Sequence, residues 1–107
     1  MKRFISNYTI LADGNEVINH ITTVADDGRL ISIQPFDREL GNTIYVPQPL
    51  CVATTSCLEI IQEAFIESVS RQQLKQRLAT INTHSAQQGD NVVVLRLDFA
   101  HNTLTQL

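Results

Sequence analysis

The sequence predicts an α+β domain: a small, mainly antiparallel β-sandwich or sheet with two helices inserted between its N-terminal and C-terminal strands. Three observations carry this reading. Two turn signals, Asp13-Gly14 and Asp26-Asp27-Gly28-Arg29, separate runs rich in Ile, Val, Thr, Phe and Tyr. After Ser56 the apolar residues recur at helical rather than alternating spacing. The unbroken run Val92-Val93-Val94-Leu95 then restores extended structure, and its lack of polar interruption implies burial on both faces.

The elements follow in order. Residues 2–11 form a first strand that closes on Ala12-Asp13-Gly14-Asn15, and residues 16–24 form a second with Val17, Ile18, Ile21 and Val24 among threonines. Gly28 accepts φ > 0 without a Cβ penalty, so Asp-Gly favours a tight type I′ turn before residues 30–34. Pro35 is expected to end that pairing because it lacks a ladder donor. Residues 36–42, with Asp37, Arg38 and Glu39, read as a polar connection turning at Gly41-Asn42. Short extended pieces at 43–46 and 50–53, split by Pro47-Gln48-Pro49, complete the N-terminal strands, residues 2–53.

Ser56 and Glu59 spell a capping box ahead of Leu58, Ile61, Phe65 and Val69, predicting a helix over 57–69. Ser70 and Gln73 repeat the signal before Leu74, Leu78 and Ile81, predicting a second helix over 71–88 with Gly89 as its C-cap. The C-terminal strands occupy residues 91–107, turning at Ala100-His101-Asn102-Thr103, with Arg96 and Asp98 facing water. One domain spans residues 1–107, enough for a single core.

The totals restrict function. A net charge of -3 and a pI near 5.4 supply no basic stripe for a nucleic acid. No apolar run approaches the roughly 20 residues that span a bilayer, so no membrane partner is expected. Lys2 and Arg3 are followed by polar residues rather than a signal-peptide core, and Cys51 and Cys57 form no CxxC or disulfide framework. A reduced, cytoplasmic protein is expected.

Candidate chemistry is sparse. His20, His84 and His101 fall in a predicted strand, helix and turn, without an HxH or HxxxH pair, whereas a hydrolytic metal needs three converging ligands. No metal or other cofactor is therefore expected. Cys51, Cys57 and His84 are the weak candidates for a nucleophilic site; Cys57 lies in the first turn of a helix, where the dipole lowers a thiol pKa. The bland reading makes both cysteines small buried hydrophobes. Isolated Gly14, Gly28, Gly41 and Gly89 build no phosphate loop. Glu63, Glu67, Arg71, Lys75 and Arg77 read as solvated helix faces.

Beyond these residue-level readings, Ile5-Ser6-Asn7-Tyr8-Thr9-Ile10-Leu11, Asp13-Gly14 and Thr23 to Ile33 resemble the opening of amidohydrolase-superfamily (metallo-dependent hydrolase) enzymes, whose hairpin runs roughly v-x-D-G-r-I-x-x-I. Gly89-Asp90-Asn91-Val92-Val93-Val94-Leu95-Arg96-Leu97-Asp98 resembles that family's returning G-x-x-A-D-l-v-v-l-d segment, with Asn91 in place of its Asp. Leu78-Ala79-Thr80-Ile81-Asn82 is similar to its A-T-x-N-P-A helix, with Thr83 and His84 replacing Pro-Ala. The resemblance implies a composite sandwich built from both chain ends. It does not extend to the metal site: where the family has P-G-f-I-D-x-H-x-H, this chain has Cys51 for the Asp and Ala53 and Thr55 for the histidines. Nor is there room for a (β/α)₈ barrel of about 200 residues or more.

Two functions follow as expectations. The first is a non-catalytic structural or protein-interaction module, forming a homodimer or joining another subunit through an exposed sheet or helix face. The alternative is a small hydrolase, or a hydrolase-complementing subunit, using Cys51 or Cys57 with His84.

Overall fold

The computed structural model of the chain describes residues 1–38, 41–81 and 83–107. Seven strands form one mixed, mostly antiparallel sheet: β1 (Lys2–Leu11), β2 (Glu16–Val24), β3 (Leu30–Pro35), β4 (Thr43–Tyr45), β5 (Leu50–Thr54), β6 (Val92–Asp98) and β7 (Thr103–Gln106). Between β5 and β6 come α1 (Leu58–Ile66) and α2 (Arg71–Ile81). The strand order is β3-β2-β1-β5-β6-β7, so the ends of the chain share one sheet and the helices lie between them in sequence, as predicted.

β4 and β5 both run parallel to β1, β4 along Arg3–Ile5 and β5 along Thr9–Leu11. Pro47 and Pro49 have no N–H to contribute, so they interrupt what would otherwise be one long strand. The break is held by Val46 N donating to the Ile5 carbonyl (2.8 Å) and by buried Ser6 Oγ donating to the Gln48 carbonyl (2.7 Å). Among the described strands, β4 pairs with β1.

The core has two layers. Helix residues Ile61, Ala64, Phe65, Leu74 and Leu78 pack on Ile10, Cys51, Ala53, Val93, Leu95 and Leu97. On the opposite side Phe4, Val24, Leu30, Val46, Leu50, Val52, Val92 and Val94 form a second cluster. Residues 92–95 alternate between the layers and are all buried, which explains their unbroken apolar character. Phe4 and Ile10 share strand parity yet serve different layers. β1 and β2 coil between them, where the ladder lacks an Asn7–Asn19 rung and Asn19 takes φ +56°.

The second layer is closed by long-range backbone pairing. Leu30 N donates to the Asp90 carbonyl (2.8 Å), Gly89 N to Leu30 (2.9 Å) and Val92 N to Gly28 (3.0 Å). The β2–β3 tip is thereby stitched to the start of β6.

Several local expectations change. The β2–β3 turn is not type I′: Gly28 has φ +90° but Asp27 does not have positive φ, and Gly28 N bonds the Ala25 carbonyl (2.9 Å), a type I turn followed by a glycine bulge. The β2–β3 ladder does end at Pro35, which is itself the last rung, opposite His20, one residue beyond the expected strand. The Ser56/Glu59 capping box does not form; a 3₁₀ turn over Thr55–Cys57 precedes α1, and the α1 N-cap makes no side-chain bond. At Ser70/Gln73 the Ser70 half of the box forms, with Gln73 N donating to Ser70 Oγ (3.2 Å), while Gln73 Oε1 accepts from Val69 N (2.9 Å), one residue before the cap. α1 ends at Ile66, so Val69 is exposed and Ser68 takes the buried position, its hydroxyl bonding the Ala64 carbonyl (2.7 Å). α2 ends at Ile81 rather than 88; Asn82 lies outside the described residues, and Gly89 (φ +92°) turns the chain into β6 instead of capping a helix. The predicted 36–42 connection falls partly outside the described residues, at Glu39 and Leu40.

Candidate functional site

Cys51 lies fully buried in β5, under the helices. Burial, with a smaller contribution from neighbouring Cys57, pushes its thiol up to about 12. Cys51 packs in the first core layer, with its thiol held in the protonated form. Cys57 is half-buried at the 3₁₀ turn, where Thr54 Oγ1 donates to its sulfur (3.2 Å). His84, expected on the second helix, lies beyond its end at Ile81 and is exposed in the irregular segment before β6. Even so, Cys57 and His84 line one surface depression of about 500 Å³ together with Thr54, Ser56 and Asp90.

The other histidines stand apart. His20, in β2, donates from Nδ1–H to the Ile18 carbonyl (2.9 Å). His101, in the β6–β7 turn, pairs with Asp98 (2.9 Å), and the hydrogen bond from its ring holds the Asp98 carboxyl below its ordinary range. Among the described residues no three His, Cys, Asp or Glu side chains converge on a common point.

The charged helix faces are not merely solvated. Glu16, at the start of β2, is nearly buried against α2, with Arg71 Nε at 2.6 Å and Lys75 Nζ at 3.3 Å. The Arg71 guanidinium also covers the Tyr8 ring, 3.5 Å from its centroid. Its short contact to Glu16 is an ion pair lacking hydrogen-bond alignment. Arg77 and Glu67, on the solvated faces, form an exposed pair (2.9 Å).

The most distinctive surface is elsewhere. Beside β4 an apolar cleft of about 360 Å³ opens onto the second core layer. Its walls are Phe4, Ile44, Tyr45, Val46, Pro47 and Leu107, with Ile44 and Tyr45 more than half exposed. Lys2 and Arg96 stand at the same opening, and neither makes an ion pair among the described residues. Sequence reasoning placed Arg96 toward water. It shares parity with Val92 and Val94, and that parity was the available signal that it faces the second layer.

Comparison with protein-family models, characterised proteins and solved structures finds no match to this chain. No helix among the described residues is long and apolar enough to cross a membrane.

Proposed function

We propose that this chain is a non-catalytic interaction module, akin in plan to the composite sandwich of amidohydrolases, that pairs with a second copy of itself along β4. The carrying observation is that β4, a three-residue strand beside β1, displays the apolar side chains of Ile44 and Tyr45 to solvent. Exposed apolar side chains favour association, and a two-fold axis beside β4 would bring Ile44 and Tyr45 of two copies together. The union of both chain ends in one sheet around two helices supports the kinship in plan. Two free cysteines support a reducing, cytoplasmic setting. Light scattering at micromolar concentration tests the pairing: the expected mass is twice the 12.0 kDa chain, reverting to one chain in Tyr45→Lys. A monomer in the wild-type sample removes the dimer.

A second reading, a hydrolase using Cys57 with His84, draws on their shared depression. Iodoacetamide labelling discriminates: modification of native Cys57 faster than in denatured protein, lost in His84→Ala, would favour the enzyme.

A further inference from the structure

We infer that the cleft beside β4 is a binding site for a medium-chain aliphatic carboxylate, its chain held by Phe4, Val46 and Leu107 and its carboxylate by Lys2 and Arg96. Volume, lining and charge point the same way. At about 360 Å³ the cleft lies at the small end of the range for small-molecule sites, too small for a large rigid ligand. Its floor is the second core layer, to which Phe4, Val46 and Leu107 belong or pack, so a bound alkyl chain extends an existing apolar interior. A second cavity of about 240 Å³ shares Lys2, Phe4 and Leu107 with the first and gives a longer chain somewhere to continue.

The cations define the headgroup. Of the eight Lys and Arg residues in a chain of net charge -3, Lys2 and Arg96 come from different strands and meet at this opening. Among the described residues Arg71, Lys75, Arg77 and Arg29 each have a carboxylate partner, whereas Lys2 and Arg96, like Arg3 and Arg38 elsewhere, have none. Arg96 is only partly exposed, on the parity of Leu50 and Val94, where a guanidinium without a counter-anion is costly. A carboxylate would neutralise it and accept two parallel N–H bonds from its fork. A neutral alcohol would leave that charge unmatched, and a cationic amphiphile would add to it. This site does not depend on the β4 dimer: a monomeric protein can still bind the ligand.

The experiment is an amide-shift NMR titration of the full chain with sodium decanoate below its micellar concentration, with decanol and decyltrimethylammonium as controls. Saturable shifts centred on Lys2, Phe4, Ile44–Val46, Arg96 and Leu107 are expected for decanoate. Decanol should bind at least about tenfold more weakly and the cation not at all. Arg96→Gln should weaken decanoate about tenfold while leaving the decanol affinity in place. Should Arg96→Gln not fold, exposed Lys2→Gln offers the same test with a smaller loss. Absence of saturable shifts in the cleft, equal affinity for the three amphiphiles, or unchanged decanoate affinity in the folded variant would each overturn the assignment.

Discussion

The turns β1–β2 and β2–β3 have the same backbone and opposite dependence on the rest of the molecule. In each, the residue before the loop bonds the one after it: Leu11 N to the Asn15 carbonyl (2.8 Å), and Ala25 N to the Arg29 carbonyl (2.9 Å). In each, an Asp side chain accepts the amide two residues on, Asp13 from Asn15 (2.9 Å) and Asp27 from Arg29 (3.1 Å). Both glycines have φ +90°. Yet a Cβ on Gly14 would lie 2.6 Å from the Lys75 carbonyl and 2.9 Å from Ala79 N, whereas one on Gly28 would meet nothing within 4 Å. The first turn is wedged under α2; the second hangs on three backbone bonds to the start of β6. One local motif is thus a packing element at one end of β2 and a seam at the other.

Gly14→Ala is the sharpest way to break the comparison. The new methyl overlaps helix backbone, which cannot swing aside, and the φ strain adds to it, so a loss of about 3 kcal/mol is expected in chemical denaturation. Glu16→Gln should follow at about 2 kcal/mol, because the partly buried cations of Arg71 and Lys75 lose their counter-charge, discounted for their remaining exposure. A loss below the exposed-pair range in that variant would show that α2 does not lean on the first hairpin electrostatically.

Alkaline pH probes the layer beneath the first hairpin, where Cys51 packs with Ile10. Its thiol stays protonated up to about 12 in the folded protein and ionises near 9.0 unfolded, so between those values the folded state binds more protons. Stability therefore falls as pH rises through that window, by about 1.4 kcal/mol per unit at most from this group. Cys51→Ala should lack that component in parallel pH-denaturation curves. Gly28→Ala is the mildest change, about 1 kcal/mol from φ strain alone. If it matched Gly14→Ala, steric closeness to α2 would not be what separates the two turns.

Much of this fold was legible because its signals close within a few residues. The bounds of β1 and β2, both Asp-Gly loops and the start of α2 at Ser70/Gln73 rest on contacts two to five positions apart. Expectations failed where a distant partner intervened. Gly89 looked like a helix C-cap, but its N–H is claimed by Leu30; Arg71 and Lys75 looked solvated, but Glu16 lies 55 and 59 positions away in sequence. Of the candidate site residues, Cys51 and Cys57 are six positions apart, and nothing local distinguishes the one sealed beneath the helices from the one reaching a surface depression.

By itself, the sequence determined the order and kind of the elements, because strand alternation, helical spacing and turn chemistry are local properties of the chain. It also determined that β6 would be covered on both faces, since only such a strand tolerates Val92 to Leu95 without a polar break. The tertiary structure alone decided how the sheet closes, which glycine is locked, and that Lys2 and Arg96 meet beside β4. Those outcomes depend on strand register and on the coil of β1, which set residues far apart in sequence across a few ångströms of space.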